Sequence, residues 1–202
     1  MADDATALLA LWNDVEPALE QRYNDWHAHE HVPERLTVPG ILWGWRYRRS
    51  DAGDMPRYLT LYGLRNAAVL EGDAYQQLLR RPTPLSHEMR PALRNLSRWV
   101  CSLDVFRGLD PFADLSIQTW PAQTADPPTP SPLNCTGASV AACLLAQRLP
   151  QARPLPWLSV AQRPTAASVT GHWLYAARLA AEPGADRART DGANVFASLS
   201  VR

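Results

Sequence analysis

The first half of the chain alternates between two hydrophobic periods, and each change of period marks an element. Residues 6–12 form a short apolar run, long enough for a strand. Asn13 and Asp14 follow as cap-type residues before a helical stretch over 15–31, where Val15, Leu19, Tyr23 and Trp26 fall on one face. Pro33 is expected to end this helix, and Pro39-Gly40 to turn the chain. Over 41–49 the period becomes two, with Trp43, Trp45 and Tyr47 on one side and Gly44, Arg46 and Arg48 on the other. A second alternating run over 57–64, beyond a turn at 51–55, predicts a hairpin. Helices are predicted over 66–80 and 86–95, separated by Pro82-Thr83-Pro84, and a strand over 99–106.

This β-α-β-β-α-β order predicts a ferredoxin-like unit over 1–108. The second half, 109–202, reads as a degenerate copy. Strands are expected over 115–120, 157–163, 173–180 and 194–201, with helices over 137–149 and 182–189. Residues 121–132 hold five prolines in twelve positions, which predicts a semi-rigid surface loop. The strands are apolar on both faces, as in sheets covered on both sides. The expected fold class is therefore α+β, with two tandem ferredoxin-like units packed sheet to sheet as an α+β barrel.

Composition narrows the function. Twenty acidic and twenty basic residues cancel, which argues against nucleic acid or an anionic membrane as a partner. No apolar run reaches the roughly 20 residues of a membrane span, and the acidic start Met1-Ala2-Asp3-Asp4 is unlike a secretory signal, so a cytoplasmic protein is expected. Every basic residue is an arginine. Without lysine there is no Schiff-base or pyridoxal-phosphate chemistry, and no phosphate loop of the GxxxxGK type. Cys101, Cys135 and Cys143 are odd in number and lack CxxC spacing, which argues against a disulfide framework or a thiolate metal site. Cys101, alternating with Trp99 and Leu103, is expected as a small buried hydrophobe.

The candidate chemistry lies in Tyr23-Asn24-Asp25-Trp26-His27-Ala28-His29-Glu30-His31-Val32-Pro33-Glu34-Arg35, where three of the five histidines fall within five residues. On a helix His27 and His31 stand one turn apart on one side. Glu30 borders the apolar face beside Trp26, where desolvation can raise a carboxylate toward the range of a general base. His27-x-x-Glu30-His31 also matches the HxxEH pattern of inverted zinc peptidases. A His-x-x-x-His metal pair would need a third ligand from Glu16, Glu20, Glu34 or His87. The plainest reading is a polar helix end whose histidines stabilise the last turn.

The order Tyr-Asn-Asp-Trp-His-x-x-Glu-His-x-Pro-Glu-Arg, then Pro39-Gly40 and the Arg46-Tyr47 strand, resembles the EthD-like branch of the dimeric α+β barrel superfamily over about residues 6–107. That resemblance implies a site in which His27, Glu30 and His31 stand at the mouth of a pocket between helix and sheet. It also implies that the second half replaces the partner chain from which such barrels are usually built. The superfamily includes isomerases, cyclases, decarboxylases, cofactor-free monooxygenases and haem-handling proteins. The resulting expectation is a cofactor-independent enzyme moving a proton on a small cyclic or aromatic metabolite, with His27, Glu30 and His31 catalytic. Asn13, Trp26, Trp43, Arg46 and Tyr62 are expected to bind the substrate. Neither metal nor cofactor is expected, and a homodimer is left open. The alternatives are a cofactor-free monooxygenase and a non-catalytic small-ligand or haem-binding protein.

Overall fold

The computed structural model describes residues 4–120, 142–150, 155–162, 169–178 and 194–199. Eight strands form one closed antiparallel barrel: β1 (Ala7–Val15), β2 (Ile41–Arg49), β3 (Tyr58–Leu64), β4 (Leu93–Arg107), β5 (Leu115–Trp120), β6 (Cys143–Arg148), β7 (Trp173–Arg178) and β8 (Asn194–Ser198). Around the barrel they run β1-β3-β2-β8-β5-β7-β6-β4, and β4 returns to β1.

This topology corrects the expected fold class. Two ferredoxin-like units packed face to face would leave the edges β2 and β4 unpaired. Instead β2 bonds β8, with Tyr47 opposite Ser198, and β4 bonds β6, with Cys101 opposite Arg148. Pairing both edges satisfies every strand laterally and abolishes the exposed backbone of an open sheet. The length of β4, 15 residues, permits it: its first part pairs with β1 and its last with β6.

Several local expectations change for the same reason. Part of the helix predicted over 137–149 is strand β6, with Leu144 and Ala146 in the barrel interior and Cys143 facing out. Its helix-favouring residues are overridden by partners on both sides, β4 and β7. The strand predicted over 157–163 is absent among the described residues; Val160–Gln162 is a 3₁₀ turn. β1 runs on to Val15, so Asn13 and Asp14 belong to a strand and cap no helix. β4 begins at Leu93, not at 99. The expected surface loop at 121–132, the helix at 182–189 and Cys135 lie outside the described residues. Cys101 is fully buried, and burial pushes its thiol up to about 12.

The helices lie on the outer side of the first strands. Chain order gives α1 (Glu20–Trp26), a π-helical turn (His27–His31), α2 (Val32–Leu36), α3 (Asp73–Arg80) and α4 (Pro84–Met89). Tyr23, Trp26, Val32, Tyr75 and Met89 pack with Leu9, Tyr62, Leu64, Leu96 and Val100 into a core separate from the barrel interior. Each fully buried aliphatic among these contributes about 1.5–3 kcal/mol relative to exposure. Among the described residues no helix is long and apolar enough to cross a membrane.

Candidate active site

The site is built on the outer faces of β2 and β3. Gly44 lies opposite Tyr62, Arg46 opposite Thr60 and Arg48 opposite Tyr58. Gly44 lets the helical layer approach: a Cβ there would stand 2.9 Å from the Tyr62 ring and 3.1 Å from Val32 Cγ1. Helix therefore packs almost directly onto sheet at this point.

The π turn has a local cause. Pro33 lacks the N–H that would bond the His29 carbonyl, so an α-helical bond is missing by necessity. The chain widens instead, and the Val32 amide reaches back to the His27 carbonyl. Pro33 was expected to end the helix. It sits in the first turn of α2, where proline is tolerated, and helix continues to Leu36. Such single π turns inside α-helices are frequent at functional sites.

His27 and His31 project inward from this turn, 4% and 9% exposed, with ring centroids 4.7 Å apart. Trp26 packs on both, at 4.5 Å from His31 and 5.5 Å from His27, and Tyr23 lies 5.2 Å from His27. Burial holds both imidazoles well below their ordinary range, and Arg46 and Arg35 near His27, and Arg35, His27, Arg90 and Arg46 near His31, push in the same direction. Both rings are therefore neutral at pH 7. Neither Nδ1 has a hydrogen-bond partner among the described residues, and the same holds for the Tyr62 hydroxyl, on a residue only 1% exposed. Buried polar atoms are normally paired, so three orphans on facing elements make this cluster the candidate site.

Arg46 is buried. Its guanidinium donates to Asn24 Oδ1 at 2.9 Å and to the Asn24 carbonyl at 3.5 Å. Asn24 Nδ2 donates to the Tyr58 hydroxyl at 2.9 Å, and Tyr58 donates to Glu20 Oε1 at 2.6 Å. This chain orients Arg46 from the protein surface inward. The Tyr58 hydrogen bond, with Arg57 and Arg48, also lowers the pKa of Glu20.

The remaining expected residues divide clearly. Glu30 is turned away from the imidazoles: its carboxylate accepts from Thr83 and from Ser86 Oγ at 3.2 Å. Thr83 is the N-cap of α4, accepting from the Ser86 amide at 3.0 Å, and Ser86 Oγ accepts from Trp26 Nε1 at 3.1 Å. Glu30 thus ties the first helical layer to α4. Asn13 Oδ1 accepts from the Tyr23 hydroxyl at 3.1 Å and so supports the site from behind. Trp43 is the one expected substrate contact placed elsewhere: it lies inside the barrel, stacked on Trp45 at 4.1 Å and covering Gly63. Alternation puts it on the face opposite Tyr62, so the two cannot line one pocket.

Sequence reasoning missed Arg35 and Arg90. Arg35 pairs with Glu34 at 2.6 Å and lies 5.9 Å from the Tyr75 ring centroid. Arg90 donates to the Leu79 and Leu78 carbonyls at 3.0 and 3.1 Å and stacks over Trp157 at 5.2 Å. Gln162 Nε2 donates to the Arg90 carbonyl, so the second half of the chain braces this corner. No local pattern announces a buried arginine whose partners are carbonyls and a distant tryptophan.

The HxxEH reading is not supported by this geometry, since Glu30 does not face the histidines. Of the third ligands considered for a metal pair, Glu34 bonds Arg35, Glu16 bonds Arg94 and Glu20 bonds Tyr58 and Arg57. Among the described residues no group of three or more His, Cys, Asp or Glu converges as a metal site requires.

Fold and site together define a closed antiparallel barrel with a helix-covered histidine–arginine cluster on its outer face. No family model and no curated protein matches the chain. Among solved structures it is similar to a crystal structure of an anthrone oxidase-like protein, 12% identical, with a TM-score of 0.55, covering 97% of this chain and 92% of that one. At that identity the likeness speaks for the fold.

Proposed function

We propose that this chain is a cofactor-independent oxygenase acting on an enolisable aromatic ketone or phenol. The observation that carries this reading is the pair of buried, neutral imidazoles, each with an Nδ1 that has no partner among the described residues, within the field of the Arg46 guanidinium. An imidazole unprotonated at pH 7 can accept a proton, and the fixed cation that weakens its basicity also stabilises the oxyanion that forms when a carbon acid loses its proton. The resulting enolate is electron-rich enough to reduce dioxygen without metal or flavin.

His27 or His31 takes a proton from the ring methylene, and the negative charge moves to the carbonyl oxygen, held by Arg46. The carbanionic carbon transfers its electrons to O2 and forms a C–O bond, and the proton returns to give a hydroperoxide. Loss of the second C–H proton with cleavage of the O–O bond releases water and leaves a carbonyl. The sum is one methylene plus O2 giving one ketone plus water. An anthrone contains such a methylene, and the structural likeness to an anthrone oxidase-like protein supports this substrate class over the simple isomerisation or cyclisation first expected.

The test is oxygen uptake with anthrone and related cyclic ketones, run beside the same incubations under argon. Oxygen consumption equal to ketone formed is the expected result. His27→Gln with His31→Gln should lower the rate about 10²- to 10⁴-fold, the usual contribution of acid–base groups. Full turnover under argon would instead identify a proton-transfer enzyme that does not use oxygen. An unchanged rate in the double variant would place the chemistry elsewhere.

A further inference from the structure

Charge around the imidazoles is unbalanced in a way that catalysis by proton transfer does not require. Arg35, Arg46 and Arg90 are all buried, at 4%, 8% and 5% exposure, and all three act on His31. Arg35 has a carboxylate partner in Glu34. Among the described residues neither Arg46 nor Arg90 has a carboxylate within ion-pair distance; their donors meet Asn24 and the carbonyls of Leu78 and Leu79. Glu20, at the far end of the Asn24–Tyr58 chain, is already paired with Arg57 at 2.9 Å. With both histidines neutral, three guanidiniums stand against one carboxylate, Glu34, which pairs with Arg35 and also acts on Arg90, and no change of pH in the working range removes the excess of positive charge.

A buried cation without an anion is costly unless something supplies the missing charge. The hydrogen-bonding positions without a partner among the described residues, Nδ1 of His27, Nδ1 of His31 and the Tyr62 hydroxyl, belong to residues that all feel Arg46 and Arg35, and His31 feels Arg90 as well. The surrounding side chains are aromatic: Trp26 and Tyr23 flank the imidazoles, with Tyr62 on the sheet. The geometry points to a site for an aromatic oxyanion, a ring carrying an ionised phenol or carboxyl oxygen before any chemistry begins. The flat part lies against Trp26 and Tyr23, and the charged oxygen meets Arg46. This deepens the oxygenase reading by restricting its substrates to acidic ones, and rests on that reading only for the identity of the ring.

Binding under argon separates charge from turnover. Calorimetry with 2-naphthoate and 2-naphthamide compares an anion with its neutral isostere. The naphthoate should bind at least about ten-fold tighter, and Arg46→Gln should reduce the ratio to within about three-fold. Arg48→Gln, on the same strand but half exposed, should leave the ratio unchanged. 2-Naphthol distinguishes a phenol that the site ionises from a carboxylate that arrives charged: bound as its anion, it shows the red-shifted absorption of naphtholate at a pH where the free compound is neutral. Equal binding of naphthoate and naphthamide by the wild type overturns the inference, and so does a preference that survives Arg46→Gln. The wild-type ratio decides alone where that variant does not fold. A retained preference with no oxygen uptake on any substrate would sink the oxygenase reading and leave the anion site standing. Oxygen uptake without the preference would do the reverse.

Discussion

The two faces of strand β2 show how differently one strand can be used. Inward it presents Trp43, Trp45 and Tyr47, which pack with Trp12, Leu59, Leu61, Trp99 and Phe196 into the barrel interior. Outward it presents Gly44, Arg46 and Arg48, with a helical layer pressed over the first two. An eight-stranded barrel is narrow enough for side chains from all strands to fill it, so its interior is solved by volume. Polar atoms there are few; the Tyr47 hydroxyl has no hydrogen-bond partner among the described residues and is held protonated by burial and by Asp110 and Asp114. On the outer face the same strand meets helices that bring charge and imidazole with them. There the polar atoms are gathered beside cations. One face is shaped by packing, the other by chemistry, and substitutions should separate them.

The largest separation is expected at Trp45. Trp45→Ala removes a buried ring stacked at 4.1 Å on Trp43. It should cost about 3–5 kcal/mol in chemical denaturation while leaving turnover per folded molecule within a few-fold of wild type. A collapse of turnover with stability intact would mean that the interior, not the outer face, holds the substrate.

Acid should act on the outer face alone. His27 and His31 are held below their ordinary pKa of about 6.5 in the fold and regain it on unfolding, so the unfolded chain binds more protons as pH falls below that value. Stability is therefore full above about pH 6.5 and falls as the pH drops from there toward the folded-state values. The slope is at most about 1.4 kcal/mol per pH unit for each imidazole. The charged groups facing the pair, Arg35, Arg46 and Arg90, stay ionised throughout and do not reverse the sign. Urea midpoints at pH 7.5, 6.5 and 5.5 check this: His27→Gln with His31→Gln should flatten the slope, whereas Trp45→Ala should lower every midpoint without altering it.

Glu30→Gln is the smallest effect and sharpens the boundary of the site. Its carboxylate bonds Thr83 and Ser86, so the variant should lose about 1 kcal/mol of stability from weakened hydrogen bonds and keep its turnover. A loss of 10²-fold or more in rate would restore Glu30 as the base and displace the imidazoles.

Residue order alone determined a good deal here. Period-two alternation placed β2, β3, β5 and β7 close to their observed positions, and it put Arg46 on the face opposite Trp43. The crowding of His27, Glu30 and His31 beside Pro33 marked the segment that carries the candidate site's imidazoles, because a local cluster of ionisable groups is visible without any fold. What residue order cannot carry is which edges meet. β6 looks helical in isolation, and becomes a strand only because β4 and β7 offer hydrogen bonds on both sides. The division of labour between Glu30 and the histidines is equally non-local: Thr83 and Ser86, more than fifty residues away, take the carboxylate and leave the imidazoles to Arg46 and Tyr62. Arg90 lies farther still along the chain, braced by Trp157 and Gln162 from the second half. Periodicity reports each residue's own solvent exposure, a local quantity; ring closure and charge pairing are decided by partners distant in sequence, and only the folded barrel brings those together.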